Sequence, residues 1–266
     1  MRSVAILAAT LLSCASANAA PCPAPDHLTR VSGGPECLII KTYGRNDGAA
    51  RSTLFVLLHG NHTSGSPATS QYKMAEALAA QGPPGTTAVA IIRPGYNDDT
   101  GNHSSGNAAG RADNFTAMNI DIVADAVARL KSFHKAGRVV LLGHSGGAAM
   151  AGVMLGRHPG LADAAVIVAC PCDVPAWRAT TGKTGTAWAS ESAILYVDRI
   201  PARTRVAVLV GAWDNITPPA LSRDYAAALI KRGMDAELLI LEGIDHVTVI
   251  SAPEVAQAAQ RLGHGD

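Results

Sequence analysis

Apolar residues along this chain follow two alternating rhythms. Residues 53–60 read TLFVLLHG, a nearly unbroken apolar run, which is the pattern of a strand buried on both faces. A shorter run at 37–43, CLIIKTY, predicts a strand ahead of it. Residues 68–80 then predict a helix, closed by the breaker Gln81-Gly82-Pro83-Pro84-Gly85. The next strand spans 87–92, and a loop rich in Gly, Asn, Asp and Ser follows over 94–114. Over 116–135 the apolar positions Ile120, Val123, Val127 and Leu130 recur with a helical period and give one face to a core.

From there the alternation is regular. Strands are predicted at 138–142, 164–169, 205–210 and 236–241, and helices at 146–157, 218–232 and 253–262. Repeated strand–helix units build a mostly parallel sheet with helices on its faces, so the fold class is α/β. Residues 170–203 interrupt the rhythm and carry Trp177 and Trp188. This stretch is too long for an ordinary connection and too short for a domain of its own, so it reads as a small insertion or lid. With no internal repeat and no low-complexity linker, residues 20–266 are expected to form one domain.

Composition narrows the partners. The 22 Lys and Arg balance 21 Asp and Glu, so there is no basic surplus to neutralise phosphates or an anionic membrane. Nucleic acid is therefore not expected as a partner. Residues 1–19 have the layout of a secretory signal: Arg2, an apolar run from Val4 to Leu12, then Ala17-Asn18-Ala19 ahead of a Pro-rich segment. The apolar run is too short to span a bilayer. A competing reading is a lipoprotein signal, in which Leu11-Leu12-Ser13-Cys14 forms a lipobox and Cys14 is acylated. After removal of 1–19 four cysteines remain, and an even count in an exported chain points to disulfides. Cys22 with Cys37 is the simplest pair. Cys170 and Cys172 stand one residue apart, where a direct bridge is cramped, so pairing elsewhere or a reduced state stays open. The Cys-Pro-Cys spacing does not suit a metal, and no cofactor is implied.

The chemistry centres on VVLLGHSGGAAM. Gly143-His144-Ser145-Gly146-Gly147 satisfies Gly-x-Ser-x-Gly between a buried strand and a helix of small residues, the context a nucleophile elbow requires. Ser145 is the expected nucleophile, and Gly146, at the helix N-terminus, is an expected oxyanion donor. A serine hydroxyl needs a base. Among nine histidines, His246 follows the last core strand, where a loop at the carboxyl edge of the sheet can carry it. Asp214, just past its own strand in VAVLVGAWDNITPP, is the expected acid; Asp245 is a rival whose adjacency to His246 points it away from the ring. The turn FVLLHGNHTSG supplies the second oxyanion donor, the backbone N–H of Asn61.

These features, in this order, resemble the α/β-hydrolase superfamily, with His59-Gly60, the elbow, Asp214 and His246 spread over 38–262. The C-terminal stretch RVAVLVGAWDNITPPALSRDYAAALIKRGMDAELLILEGIDH looks like the end of a prolyl-oligopeptidase-type catalytic domain. The resemblance implies a serine hydrolase working through an acyl-enzyme. The propeller that usually screens substrates in those peptidases has no counterpart in this sequence. The leading expectation is an exported enzyme cleaving a carboxylic ester or small amide. A peptidase acting on short peptides and a silent binding protein on a hydrolase scaffold are the alternatives. Trp177, Trp188 and Tyr196 are candidates for an apolar wall over Ser145 or for local core. Arg93, Arg111 and Arg178 are candidates for binding a substrate carboxylate.

Overall fold

A computed structural model describes residues 22, 25–44, 52–62, 65–108, 114–182 and 188–264. Residues 1–19, expected to form a leader, Cys14 within them, and Arg111 lie outside the described residues. Eight strands form one sheet: β1 (Arg30–Gly33), β2 (Glu36–Gly44), β3 (Thr53–Leu58), β4 (Thr86–Ile91), β5 (Arg138–His144), β6 (Ala164–Val168), β7 (Arg205–Gly211) and β8 (Ala236–Leu241). Their spatial order is β1-β2-β4-β3-β5-β6-β7-β8. β1 and β2 are antiparallel to their neighbours and every later pairing is parallel.

The apolar run of β3 explains its central place. Leu54, Val56 and Leu58 pack into a layer with α2 (Ala117–Phe133), α3 (Gly146–Arg157) and α5 (Pro219–Lys231). Phe55 and Leu57 pack the other way, against α1 (Tyr72–Gln81) and α6 (Pro253–His264). Alternate side chains of one strand thus feed two cores, which only a strand covered on both faces needs. The chain also reverses direction across the sheet at β3, with β4 to one side and β5 to the other. In open α/β sheets that point, at the carboxyl ends of the strands, is where ligands bind.

Four local differences from the sequence reading have physical reasons. β1 was not expected, because RVSG buries only Val31 and Gly33 and has no apolar run to announce it. The strand predicted at 53–60 ends at Leu58, where His59 and Gly60 leave the ladder. The helix predicted from 68 starts at Tyr72, because the preceding residues brace a loop: Ala68 N–H donates to the Asn97 carbonyl at 2.9 Å. Cys170 and Cys172 are bonded to each other across Pro171, with Cα atoms 5.0 Å apart, well within disulfide range. Cys22 is bonded to Cys37, as expected.

Residues 170–203 contain α4 (Val174–Thr180) and a 3-10 helix, Ala193–Arg199. The 3-10 helix lies hard against α3: a β-carbon on Gly156 would sit 2.3 Å from the Tyr196 carbonyl. Tyr196 is therefore committed to packing on α3 and not to a wall over Ser145. Trp177 and Trp188 meet edge to face at 6.1 Å between ring centroids, both packed on the core. No described helix is long and apolar enough to cross a membrane.

Candidate active site

β5 delivers Ser145 to the carboxyl edge of the sheet. The residue has φ 53° and ψ −121°, a left-handed conformation that L side chains rarely adopt, and α3 starts on the next residue. Glycines make this turn sterically feasible. A β-carbon on Gly143 would lie 2.4 Å from the Gly147 carbonyl, and one on Gly147 would lie 2.4 Å from the Leu58 carbonyl. The strained serine is held by its own N–H, which donates to the Val168 carbonyl at 2.8 Å.

Three side chains distant in sequence meet here. Ser145 Oγ lies 3.0 Å from His246 Nε2, and His246 Nδ1 lies 2.8 Å from Asp214 Oδ2. A carboxylate only accepts, so Nδ1 carries the imidazole proton and Nε2 is left to accept from the serine hydroxyl. Asp214 and His246 are both buried. Burial alone would raise the Asp214 pKa, but hydrogen bonds from His246 and Thr217 outweigh it and hold the carboxyl below its ordinary value. Asp245 is turned elsewhere: its Oδ1 accepts from the backbone N–H groups of Val247 and Thr248 and from the Thr248 hydroxyl.

Thr217, which the sequence reading did not single out, completes the arrangement. Its N–H donates to Asp214 Oδ1 at 2.7 Å, and its hydroxyl lies 2.8 Å from Asp214 Oδ2, 3.0 Å from His246 Nδ1 and 3.0 Å from the Ala169 carbonyl. It thereby ties the acid to the loop after β6. No sequence signal separates such a threonine from a cap. His144, inside the elbow, reaches across to the other arm: its Nε2 donates to the His246 main-chain carbonyl at 2.8 Å.

Asn61 and Gly146 line the same cavity as Ser145 and His246. They are close neighbours, since a β-carbon on Gly146 would lie 2.4 Å from Asn61 Oδ1. Gly146 opens α3, where an N–H has no intrahelical acceptor and the helix dipole is positive. The cavity has a volume of about 350 Å³ and its described walls include Phe115, Pro171, Trp177, Ile216 and Val247. Trp177 is fixed there by its Nε1–H, which donates to the Ile216 carbonyl at 2.8 Å. His62 and Ser70 add polar edges. Of the arginines considered for substrate, Arg178 stacks on the Trp188 ring, 4.0 Å from its centroid, and Arg93 is buried behind the wall. Among the described residues no group of three His, Cys, Asp or Glu is placed to hold a metal ion.

Solved structures with the same fold include an esterase and a peptidase. Est1E from Butyrivibrio proteoclasticus, solved with ferulic acid bound, superimposes with a TM-score of 0.65 at 14% identity, covering 87% of this chain and 96% of that one. The acylaminoacyl peptidase of Pyrococcus horikoshii gives 0.64 at 13% identity, covering 86% of this chain but only 39% of that much longer one. Esterase PE8 gives 0.57 at 22% identity over 84% of this chain and 96% of that one. No curated protein sequence matches the chain. The sequence profile of the prolyl oligopeptidase family matches residues 110–263, more than half of the chain and the part that carries the elbow, Asp214 and His246. With an eight-stranded, mostly parallel sheet and that match, the protein belongs to the prolyl oligopeptidase family of α/β-hydrolase-fold serine hydrolases.

Proposed function

We propose that the protein is an exported serine hydrolase that cleaves uncharged carboxylic esters through an acyl-enzyme on Ser145. The observation that carries this reading is the hydrogen-bonded line from Ser145 Oγ through His246 to Asp214, opening onto an apolar cavity. In the proposed reaction Ser145 Oγ attacks the ester carbonyl carbon while His246 Nε2 takes its proton. The carbonyl oxygen becomes an oxyanion held by the N–H groups of Asn61 and Gly146, where loss of one donor costs about 3–4 kcal/mol. Collapse breaks the bond to the leaving oxygen, which receives the proton from His246. Water then repeats the sequence and releases the acid. Asp214 keeps the imidazole in the correct tautomer and stabilises its protonated form.

Ester is favoured over peptide by the walls of the cavity. Its described lining is aromatic and aliphatic apart from histidines, serines and an asparagine, and holds no Asp, Glu, Lys or Arg to fix a peptide terminus. Ile216 and Val247 are exposed at its rim, which suits an apolar substituent leaving the pocket. Ferulic acid is the ligand of one structural neighbour, and an aromatic acid of that kind suits walls built from Phe115 and Trp177. Membership of a peptidase family keeps short peptides as the second reading. Hydrolysis of p-nitrophenyl acyl esters and aminoacyl anilides by wild type and Ser145→Ala separates the two. The ester reading expects ester turnover that vanishes in the alanine variant, with little anilide cleavage. Anilide cleavage as fast as ester cleavage would favour the peptidase. Export rests on the leader at 1–19 and on paired cysteines. The intact mass of the exported protein tests it: loss of 1–19 is expected, whereas a lipid on Cys14 would move the protein to a membrane anchor.

A further inference from the structure

Arg93 follows β4 by two residues, and its side chain is among the largest that are fully buried. A guanidinium stays charged at any pH the protein meets, and burying one is costly unless hydrogen bonds compensate. Its bonds converge on the turn after β3. Nη1 donates to the His59 carbonyl at 2.7 Å, and Nη2 donates to Asn61 Oδ1 at 3.0 Å and to Asn114 Oδ1. The Arg93 backbone N–H donates to His59 Nε2 at 2.9 Å. That fixes the proton on His59 Nδ1, which donates to the Gly60 carbonyl at 2.6 Å. Arg93 therefore grips positions 59 and 61 directly, and through His59 it also fixes the Gly60 carbonyl between them.

The grip bears on the proposed oxyanion site. Gly60 O and Asn61 N–H belong to one planar peptide, so holding the carbonyl also sets the direction of the N–H. On the other side, a β-carbon on Gly146 would lie 3.2 Å from Arg93 Nη1, so the guanidinium stands directly behind the start of α3. Asn114 braces the arrangement, donating to Asn61 Oδ1 at 3.3 Å and to the Tyr96 hydroxyl at 2.7 Å.

We propose that Arg93 is a positioning residue of the oxyanion site, aiming the Asn61 N–H alongside that of Gly146 and placing a permanent positive charge behind both donors. The proposal rests on the serine-hydrolase reading of Ser145. A charge held in a buried, preorganised site acts on the oxyanion of the transition state and hardly on a neutral bound ester, so its contribution falls on kcat and not on KM.

Two variants test it. Arg93→Met removes charge and clamp. Asn61→Asp keeps the shape and the backbone N–H but sets a carboxylate against the guanidinium and neutralises it. Each is assayed for kcat and KM on a p-nitrophenyl ester and for affinity toward a trifluoromethyl ketone, which forms an oxyanion-bearing adduct on the serine. Expected is a fall in kcat of about 10- to 100-fold, smaller than for losing a direct donor, with KM within about 3-fold. Ketone affinity should fall in the same proportion, and Arg93→Lys should recover part of both. Melting curves identify any variant that does not fold, and Asn61→Asp, which changes no volume, keeps the test open if Arg93→Met fails to fold. Folded variants with wild-type kcat, or a loss confined to KM, would overturn the proposal. Wild type that fails to react with a fluorophosphonate at Ser145 would instead remove the reading on which it rests, and the proposal with it.

Discussion

His144 offers a sharp test of how the elbow is built, because its protonation state is set by burial. Its Nε2 lies 2.8 Å from the His246 carbonyl, and a carbonyl only accepts, so Nε2 carries a proton, while burial disfavours a second proton on Nδ1. Among the described residues Nδ1 has no hydrogen-bond partner. Burial first, and the adjacent His246 second, lower the His144 pKa from 6.5 to about 4; the Asp214 carboxylate offsets part of this and His62 adds to it. Between those two values the unfolded chain binds a proton at this residue that the folded protein refuses. Stability is therefore undiminished above pH 6.5, falls as pH drops through the window, and levels off below about 4. The shift corresponds to about 3 kcal/mol, or about 6–12 °C in Tm. Urea unfolding of wild type and His144→Gln, with disulfides intact, at pH values from 7.5 to 4.5 reads this directly. Glutamine keeps a donor for the His246 carbonyl but does not titrate, and every other acid group is common to both proteins. The stability difference should move against wild type by about 2–3 kcal/mol over that range. Parallel pH profiles for the two proteins would refute the reasoning.

Three further outcomes follow from the same geometry. Gly147→Ala puts a β-carbon 2.4 Å from the Leu58 carbonyl and 2.5 Å from that of His59, both rigid backbone, so α3 must retreat from β3; a loss of about 1–3 kcal/mol is expected in thermal melts, and an unchanged Tm would contradict it. Asp214→Asn should lower kcat on a p-nitrophenyl ester by about 10⁴-fold while the melt stays near wild type, since the amide no longer enforces the His246 tautomer. Trp177→Phe keeps an aromatic wall but loses the bond to the Ile216 carbonyl, so KM for an apolar ester should rise about 5-fold with kcat little changed.

The parallel core was legible because its signal is local. An unbroken apolar run such as LFVLL has few other destinations, and the alternation of strands with helical periods sets the layers. Ser145 announces itself through glycines that the turn requires within two residues on either side. Asp214 and His246 are legible only by their position after strands, and each had a rival that geometry alone separates. β1 was hidden because an edge strand with two buried positions has no pattern to detect. Arg93 was read as a candidate for binding a substrate carboxylate, with solvation as the alternative, and neither holds; its burial depends on His59, Asn61 and Asn114, each more than twenty positions away in sequence. Thr217 escaped for the same reason, since its links to Ala169 and His246 are tertiary. The Cys170–Cys172 bond reflects how the chain turns at Pro171, between Ala169 at φ 50° and the start of α4, which residue spacing does not encode.

The central claim is that Ser145 is a nucleophile activated through His246. Treatment with a fluorophosphonate, followed by mass analysis of the intact protein and of the peptide carrying the elbow, tests it most directly. The account predicts a single adduct on Ser145, formed in step with loss of esterase activity and absent from Ser145→Ala. An adduct that persists in the alanine variant, or wild-type protein that stays unmodified while fully folded, would contradict it.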